Sequence, residues 1–154
     1  MLHAMAFEPA VEAMSSPVYA SWGGRFVAWL LDLVLCWGLI YGVSTGVALG
    51  LEDAASGIVA LVLLAPLGPL YYAFFHAGKR GQTLGKRAVR IAVRDARTLG
   101  RMGFGKALGR AYFTWVMWLL TFPVGGILDG LWPLWDKQRQ TWHDKVAASV
   151  VVRA

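Results

Sequence analysis

Two long apolar stretches, residues 25–49 and 57–77, constrain this chain more than any other feature. As helices at ~1.5 Å rise per residue, each is long enough to cross the ~30 Å of hydrocarbon in a bilayer. Only "GLEDAAS" separates them, so they read as a tight helical hairpin. The rest of the composition agrees. Of 154 residues, 57% are hydrophobic and 16% charged, too apolar for an ordinary soluble domain and too short for two domains. Eight Trp and five Tyr suit membrane interfaces. The single cysteine, Cys36, excludes an internal disulfide and lies where packing is expected of it.

The first apolar stretch nevertheless carries Arg25 and Asp32, seven residues apart and so on nearly one helix face. An Asp at a helix centre costs ~2.5–3.5 kcal/mol on insertion scales. The twelve Leu, Ile, Val and Phe residues of 26–49 supply roughly −4 to −7 kcal/mol on such a scale, so the helix inserts. An intramembrane acid faces a bundle interior, a partner cation or water. Two readings stand for Asp32: a structural ion pair, with Arg110 or Arg25, that locks helices together, or an ion or proton site. Arg25 can also snorkel to the interface.

Residues 78–110 hold ten Lys or Arg and one acid, Asp95. This bias places them in the cytoplasm and the "LED" loop outside, with Arg25 at the cytoplasmic interface. Within them "AVRIAVRD" alternates with period two, which predicts a strand. The Val150–Val152 run predicts another, so a small cytoplasmic β element joins 87–95 to the C-terminal tail. Residues 103–110 suit an amphipathic entry helix. A third apolar stretch, 111–135, is interrupted by Pro123, Gly125, Gly126, Asp129 and Pro133. Because the tail after it is basic, a broken, re-entrant element is favoured over a single crossing. Residues 1–22 lack the basic start of a secretory signal and read as a disordered tail; 23–153 read as one membrane domain.

Weaker motifs fill in the picture. Gly38, Gly42, Gly46 and Gly50 form a small-residue stripe, read first as packing against 57–77 and second as a dimer seam. Pro66, Gly68 and Pro69 predict a kink. "GKRGQTLGKR" fails as a phosphate loop, since Arg80 and Arg87 stand where Gly and Ser or Thr are needed. His143-Asp144 lacks further ligands at metal spacing, so no metal site is expected, nor any other cofactor. No catalytic set of nucleophile and base stands out, so no enzyme is expected. Anionic lipid headgroups explain the basic loop better than nucleic acid does.

"RFVAWLLD" at 25–32, "GQTLGKRAVRIAV" at 81–93 and "RQTWHDKVAASVVV" at 139–152 together resemble the RDD family of small bacterial membrane proteins. The family is named for one arginine and two aspartates, which the resemblance places at Arg25, Asp32 and Asp144. It marks Gln82, Gly85, Lys86, His143, Asp144 and Ser149 as a cytoplasmic motif. One departure is visible: the family usually has Gly-Thr where this chain has Ala148-Ser149. The resemblance implies a bacterial cytoplasmic-membrane protein; transport is proposed for the family and cation/proton antiport is reported for some members. The expected fold is all-α and membrane-integral, with two full transmembrane helices, a broken third element and a small β element. Two functions remain open. One is ion or solute transport, the other an accessory or assembly subunit within a homo-oligomer or larger membrane complex.

Overall fold

The computed structural model describes residues 17–154. The expected tail therefore lies outside the described residues up to position 16. Helix α1 spans Trp22–Gly50, capped by the Ser21 hydroxyl, which accepts from the Gly24 amide at 3.2 Å. Asp53 caps the next helix by accepting from the Ala55 and Ser56 amides, both at 3.0 Å. That helix runs as α2 (Ala54–Leu64) and α3 (Leu67–Ala77), continuous over 24 residues but bent at Ala65 and Pro66.

The bend redirects the chain: α2 packs along α1, whereas α3 packs along a later helix, α5, and touches α1 little. Pro66 thus acts as a packed kink. Close approach of α1 and α2 depends on Gly57, where a Cβ would lie 2.6 Å from the Ala48 Cβ and 3.0 Å from the Ser44 carbonyl. The glycine stripe takes no part. A Cβ at Gly38, Gly42, Gly46 or Gly50 would meet nothing within 4 Å, so their expected packing against 57–77 does not form. The stripe turns away from α2 because the buried positions Ile40 and Ser44 define the inner face.

After a short helix α4 (Leu84–Ala88), strand β1 (Ile91–Asp95) pairs antiparallel with β2 (Ser149–Arg153), Val93 opposite Val151. The expected strand at 87–95 is therefore shorter, since Arg87 and Ala88 belong to α4. The segment before α1 joins this sheet: Tyr19 bridges Val152, and the Ala20 amide donates to the Val151 carbonyl at 2.9 Å. Residues 18–22 are thus ordered rather than part of a loose tail. Ala20, Ala28, Ile91, Val93, Met102 and Val151 form the core beneath the helices.

The third apolar stretch starts early, as α5 (Phe104–Thr121), and breaks at Phe122 and Pro123 before α6 (Val124–Leu131). Arg110 and Gly130 both return to the first turn of α1: Arg110 shares Asp144 with Arg25, and the Gly130 carbonyl accepts from Trp22 Nε1 at 2.9 Å. The chain therefore doubles back at the break. A 3₁₀ turn (Trp132–Leu134) and helix α7 (Trp142–Val146) lead to β2.

The fold is mostly helical with two helices apolar and long enough to span a membrane. Leu39, Leu49, Val62 and Leu63 are 65–75% exposed. Such a surface suits lipid contact and not water.

Candidate functional site: a buried polar core

Asp32 is the eleventh of the 29 residues of α1, and the 18 residues after it, 33–50, carry no charge. They span about 27 Å, close to a whole bilayer core. Asp32 thus lies about 6 Å short of the midpoint of α1, with that uncharged run wholly on one side of it.

The carboxylate is fully buried and caged by neutral donors. Tyr71 Oη donates to Oδ1 at 2.9 Å, the Gly85 amide to Oδ1 at 2.8 Å, and Thr83 Oγ1 to Oδ2 at 2.5 Å. Gly85 must be glycine: a Cβ would overlap the Ala28 carbonyl and lie 3.0 Å from Asp32 Cγ. The expected pairing of Asp32 with Arg110 or Arg25 does not form. Both arginines go to Asp144 instead, because α7 brings that acid between the starts of α1 and α5.

At Asp144, Arg25 Nη1 donates to Oδ2 at 2.6 Å, and Arg110 donates to Oδ1 from Nη2 at 2.6 Å and Nε at 3.0 Å. Asp144 also closes a capping box with Thr141 at the start of α7. Burial alone would raise its carboxyl; the charges of Arg110 and Arg25 override that and hold it well below the usual carboxylate range. The arginine and one aspartate for which the resemblance names the family are thus an ion lock, and the other aspartate is a hydrogen-bonded anchor.

Other polar groups crowd around. Arg110 Nη1 donates to His76 Nδ1 at 2.9 Å. A guanidinium only donates, so the His76 proton sits on Nε2. That atom is buried without a partner among the described residues, as are Arg25 Nε and Nη2. Lys86 is 8% exposed, with its ammonium 6.0 Å from the Tyr72 ring centre. Burial, then the Arg110 charge, lowers its pKa to about 8. His143 does not stand alone with Asp144: its Nδ1 lies 2.5 Å from Asp129 Oδ2, and its amide donates to Oδ1 at 3.1 Å.

Two segments 58 residues apart are built alike: Gln82–Asp95 and Gln140–Arg153. Each opens with Gln-Thr, and each threonine caps a five-residue helix. Each helix ends before a left-handed residue, Arg90 (φ 54°) or Ala148 (φ 45°), then enters its strand. The Gln82 side-chain amide donates to the Ile91 carbonyl at 3.0 Å and the Gln140 side-chain amide to that of Ser149 at 2.8 Å. Sequence reasoning missed this likeness, although the Gln-Thr pairs were its signal. It also missed Tyr71, Thr83, His76 and Thr141 as members of the polar core. Thr83 and Thr141 were findable as helix caps; Tyr71 and His76 gave no signal beyond a polar atom in an apolar run.

A family model described as the RDD family matches residues 19–148. An uncharacterized protein of Haemophilus influenzae is 29% identical over 152 residues, covering 96% of this chain and 83% of that one. No solved structure matches the chain.

Proposed function

This chain belongs to the RDD family, and we propose that it is a non-enzymatic structural subunit of the bacterial cytoplasmic membrane, working in association with further transmembrane helices. The observation that supports this reading is the contrast between its charges and its glycines. Asp32 and Asp144 are both fully buried and spent on internal contacts. The face bearing Gly38, Gly42, Gly46 and Gly50 is exposed and unoccupied, which suits a helix from another copy. In this reading the polar core and sheet face the cytoplasm, following the Lys and Arg bias. The hairpin of α5 and α6 re-enters from that side. From Arg110 to Thr121 it rises about 16 Å, half the bilayer.

Single cysteines at Gly42 or Gly46, in a Cys36→Ala background, test this in native membranes. We expect disulfide-linked dimers on oxidation and a multiple of 16.8 kDa in mild detergent. A monomeric mass with no cross-link at either position removes the reading. Impermeant thiol labelling of single cysteines at Arg97 and Arg153 in intact cells tests the orientation; both should be protected.

A second reading, ion or solute transport, draws support from the unpartnered buried donors Arg25 Nε, Arg25 Nη2 and His76 Nε2 beside Lys86. As N–H donors these would suit water or an anion. Collapse of a pH gradient by Na⁺ or by Cl⁻ in proteoliposomes tests it. Wild-type protein without flux would leave the subunit reading alone.

A further inference from the structure

The likeness of the two Gln-Thr segments extends to the turns that precede them, and there it breaks in an informative way. Each turn lines a pocket on the surface. One, about 210 Å³, is bounded by Phe74, Phe75, Lys79, Arg80, Gln82 and Arg87. The other, about 420 Å³, is bounded by Trp132, Asp136, Lys137, Gln138, Gln140 and Lys145. Phe74 and Trp132, Lys79 and Lys137, Gln82 and Gln140, Arg87 and Lys145 occupy equivalent positions at the same spacing of 58.

The turns share their backbone. The Gly81 amide donates to the Gly78 carbonyl at 3.0 Å, and the Arg139 amide to that of Asp136 at 2.9 Å. Gly81 and Arg139 are both left-handed, φ 62° and 52°. The difference lies at the first position, where Gly78 stands opposite Asp136. In the second turn the Asp136 carboxylate accepts from the Gln138 amide at 3.1 Å, the Gln140 amide at 2.9 Å and Lys145 Nζ at 2.5 Å. In the first turn no carboxylate is present. Among the described residues the matching backbone amides of Arg80 and Gln82 have no partner, and Lys79, Arg80 and Arg87 make no ion pair.

We propose that the turn at 78–82 binds the phosphate of an anionic phospholipid headgroup, held where Asp136 places its carboxylate in the second turn. The acceptor oxygens would take the Arg80 and Gln82 amides and the Arg87 guanidinium, with Lys79 and Arg80 adding charge. The negative end of α3 opposes an anion here, but by fractions of a charge, against three whole cations. The lipid source follows from location. The turn closes the second apolar span, and Phe74 beside it is 70% exposed on the lipid-facing surface. Basic pockets at the end of a span suit such headgroups. The inference needs the chain to lie in a bilayer and is independent of whether it forms an assembly.

The test uses the full chain in neutral detergent, titrated with short-chain phosphatidylglycerol, phosphatidylcholine or sodium phosphate, with the melting temperature read out. Wild type should bind phosphatidylglycerol about tenfold more tightly than phosphatidylcholine. Gly78→Asp should abolish that preference by filling the site from within. Its φ of −64° is open to any residue, and a Cβ there meets the Phe75 carbonyl at 3.2 Å, a small displacement. Should Gly78→Asp fail to fold, the Arg80→Gln/Arg87→Gln pair should lose the preference equally. Gly103→Asp adds the same charge to the same basic segment, at an open helix cap, and should keep the preference. Absence of preference in wild type, its survival in the site variants, or its equal loss in Gly103→Asp overturns the proposal. An equal response to inorganic phosphate overturns the lipid as its source.

Discussion

Two carboxylates are fully buried within one polar core, and the chain satisfies them by opposite means. Asp32 arrives from a distant helix and meets neutral donors: a tyrosine, a threonine and a backbone amide. Asp144 belongs to the local segment, and two distant arginines come to it. Each sits beside a Gln-Thr segment of the same design, at whose third position past the threonine stand Lys86 and Asp144. The same scaffold thus holds an imported acid in one copy and imported cations in the other. Hydrogen bonds from neutral donors to a carboxylate contribute about 1.5–3 kcal/mol each, and an amide in its place keeps part of them. A charge stripped of its partner in a buried site costs several kcal/mol. The first arrangement is an anchor that tolerates change; the second is a lock that does not.

Removal of the acids should show the largest difference. Asp144→Asn leaves Arg25 and Arg110 facing an uncharged amide and should cost ~3–5 kcal/mol, the largest loss of the set. Asp32→Asn strands at most one or two neutral donors and should cost ~1–3 kcal/mol. Thermal unfolding in detergent separates them; equal losses would erase the distinction between anchor and lock.

Coupling measurements sharpen it. Arg110→Met and Asp144→Asn touch one ion pair, so their double variant should fall short of additivity by at least ~1 kcal/mol. Asp32→Asn and Arg110→Met share no contact and should add within ~0.5 kcal/mol. Strong coupling between Asp32 and Arg110 would restore the pairing that the sequence suggested.

The two equivalent positions should also titrate in opposite regimes. Asp144 has a lowered pKa, so its contribution is present above the unfolded carboxylate value of ~3.9 and is lost as pH falls below it. Lys86 is lowered from 10.5 to about 8. The unfolded chain therefore binds more protons between these values, and stability should rise as pH climbs from 8 towards 10.5. Lys86→Met should remove that rise and add on the order of 1–3 kcal/mol at pH 7. A wild-type melting temperature flat from pH 8 to 10.5 would count against a buried ammonium.

The elements of this fold were legible where one physical variable decides them. Length of apolar sequence decides the spans, and α1 begins three residues before the expected position and α3 ends at the expected one. Alternation decides β1 and β2. Charge pairing was not legible, because it depends on depth and on which short helix intervenes. Arg110 and Asp32 both lie in apolar runs, yet α7 delivers Asp144 to Arg110 while Thr83 and Tyr71 close over Asp32. The four-residue glycine spacing suggested packing, but whether a stripe faces in or out is set by its neighbours Ile40 and Ser44. Asp129 read as an interruption of an apolar stretch, and only the fold-back of α6 brings it to His143.

The smallest expected effect concerns the left-handed residues that end α4 and α7. At φ 54° and 45°, Arg90 and Ala148 adopt a conformation that costs an L-residue roughly 1–2 kcal/mol and glycine almost nothing. Glycine loses more freedom on folding, which returns part of that gain. Ala148→Gly should therefore stabilise by ~0.5–1 kcal/mol, and it installs the residue usual in the family. If the two segments are equivalent in energy as well as in shape, Arg90→Gly should give a gain of the same size, since its side chain is exposed. A gain at 148 with a loss at 90 would mean that the Arg90 side chain contributes something its exposure does not suggest. A loss at both would mean that the turns are held open by their strands and that the strain is not relieved by removing a Cβ. Equal gains would make the two Gln-Thr segments one design used twice, differing only in the charge each was given to bury.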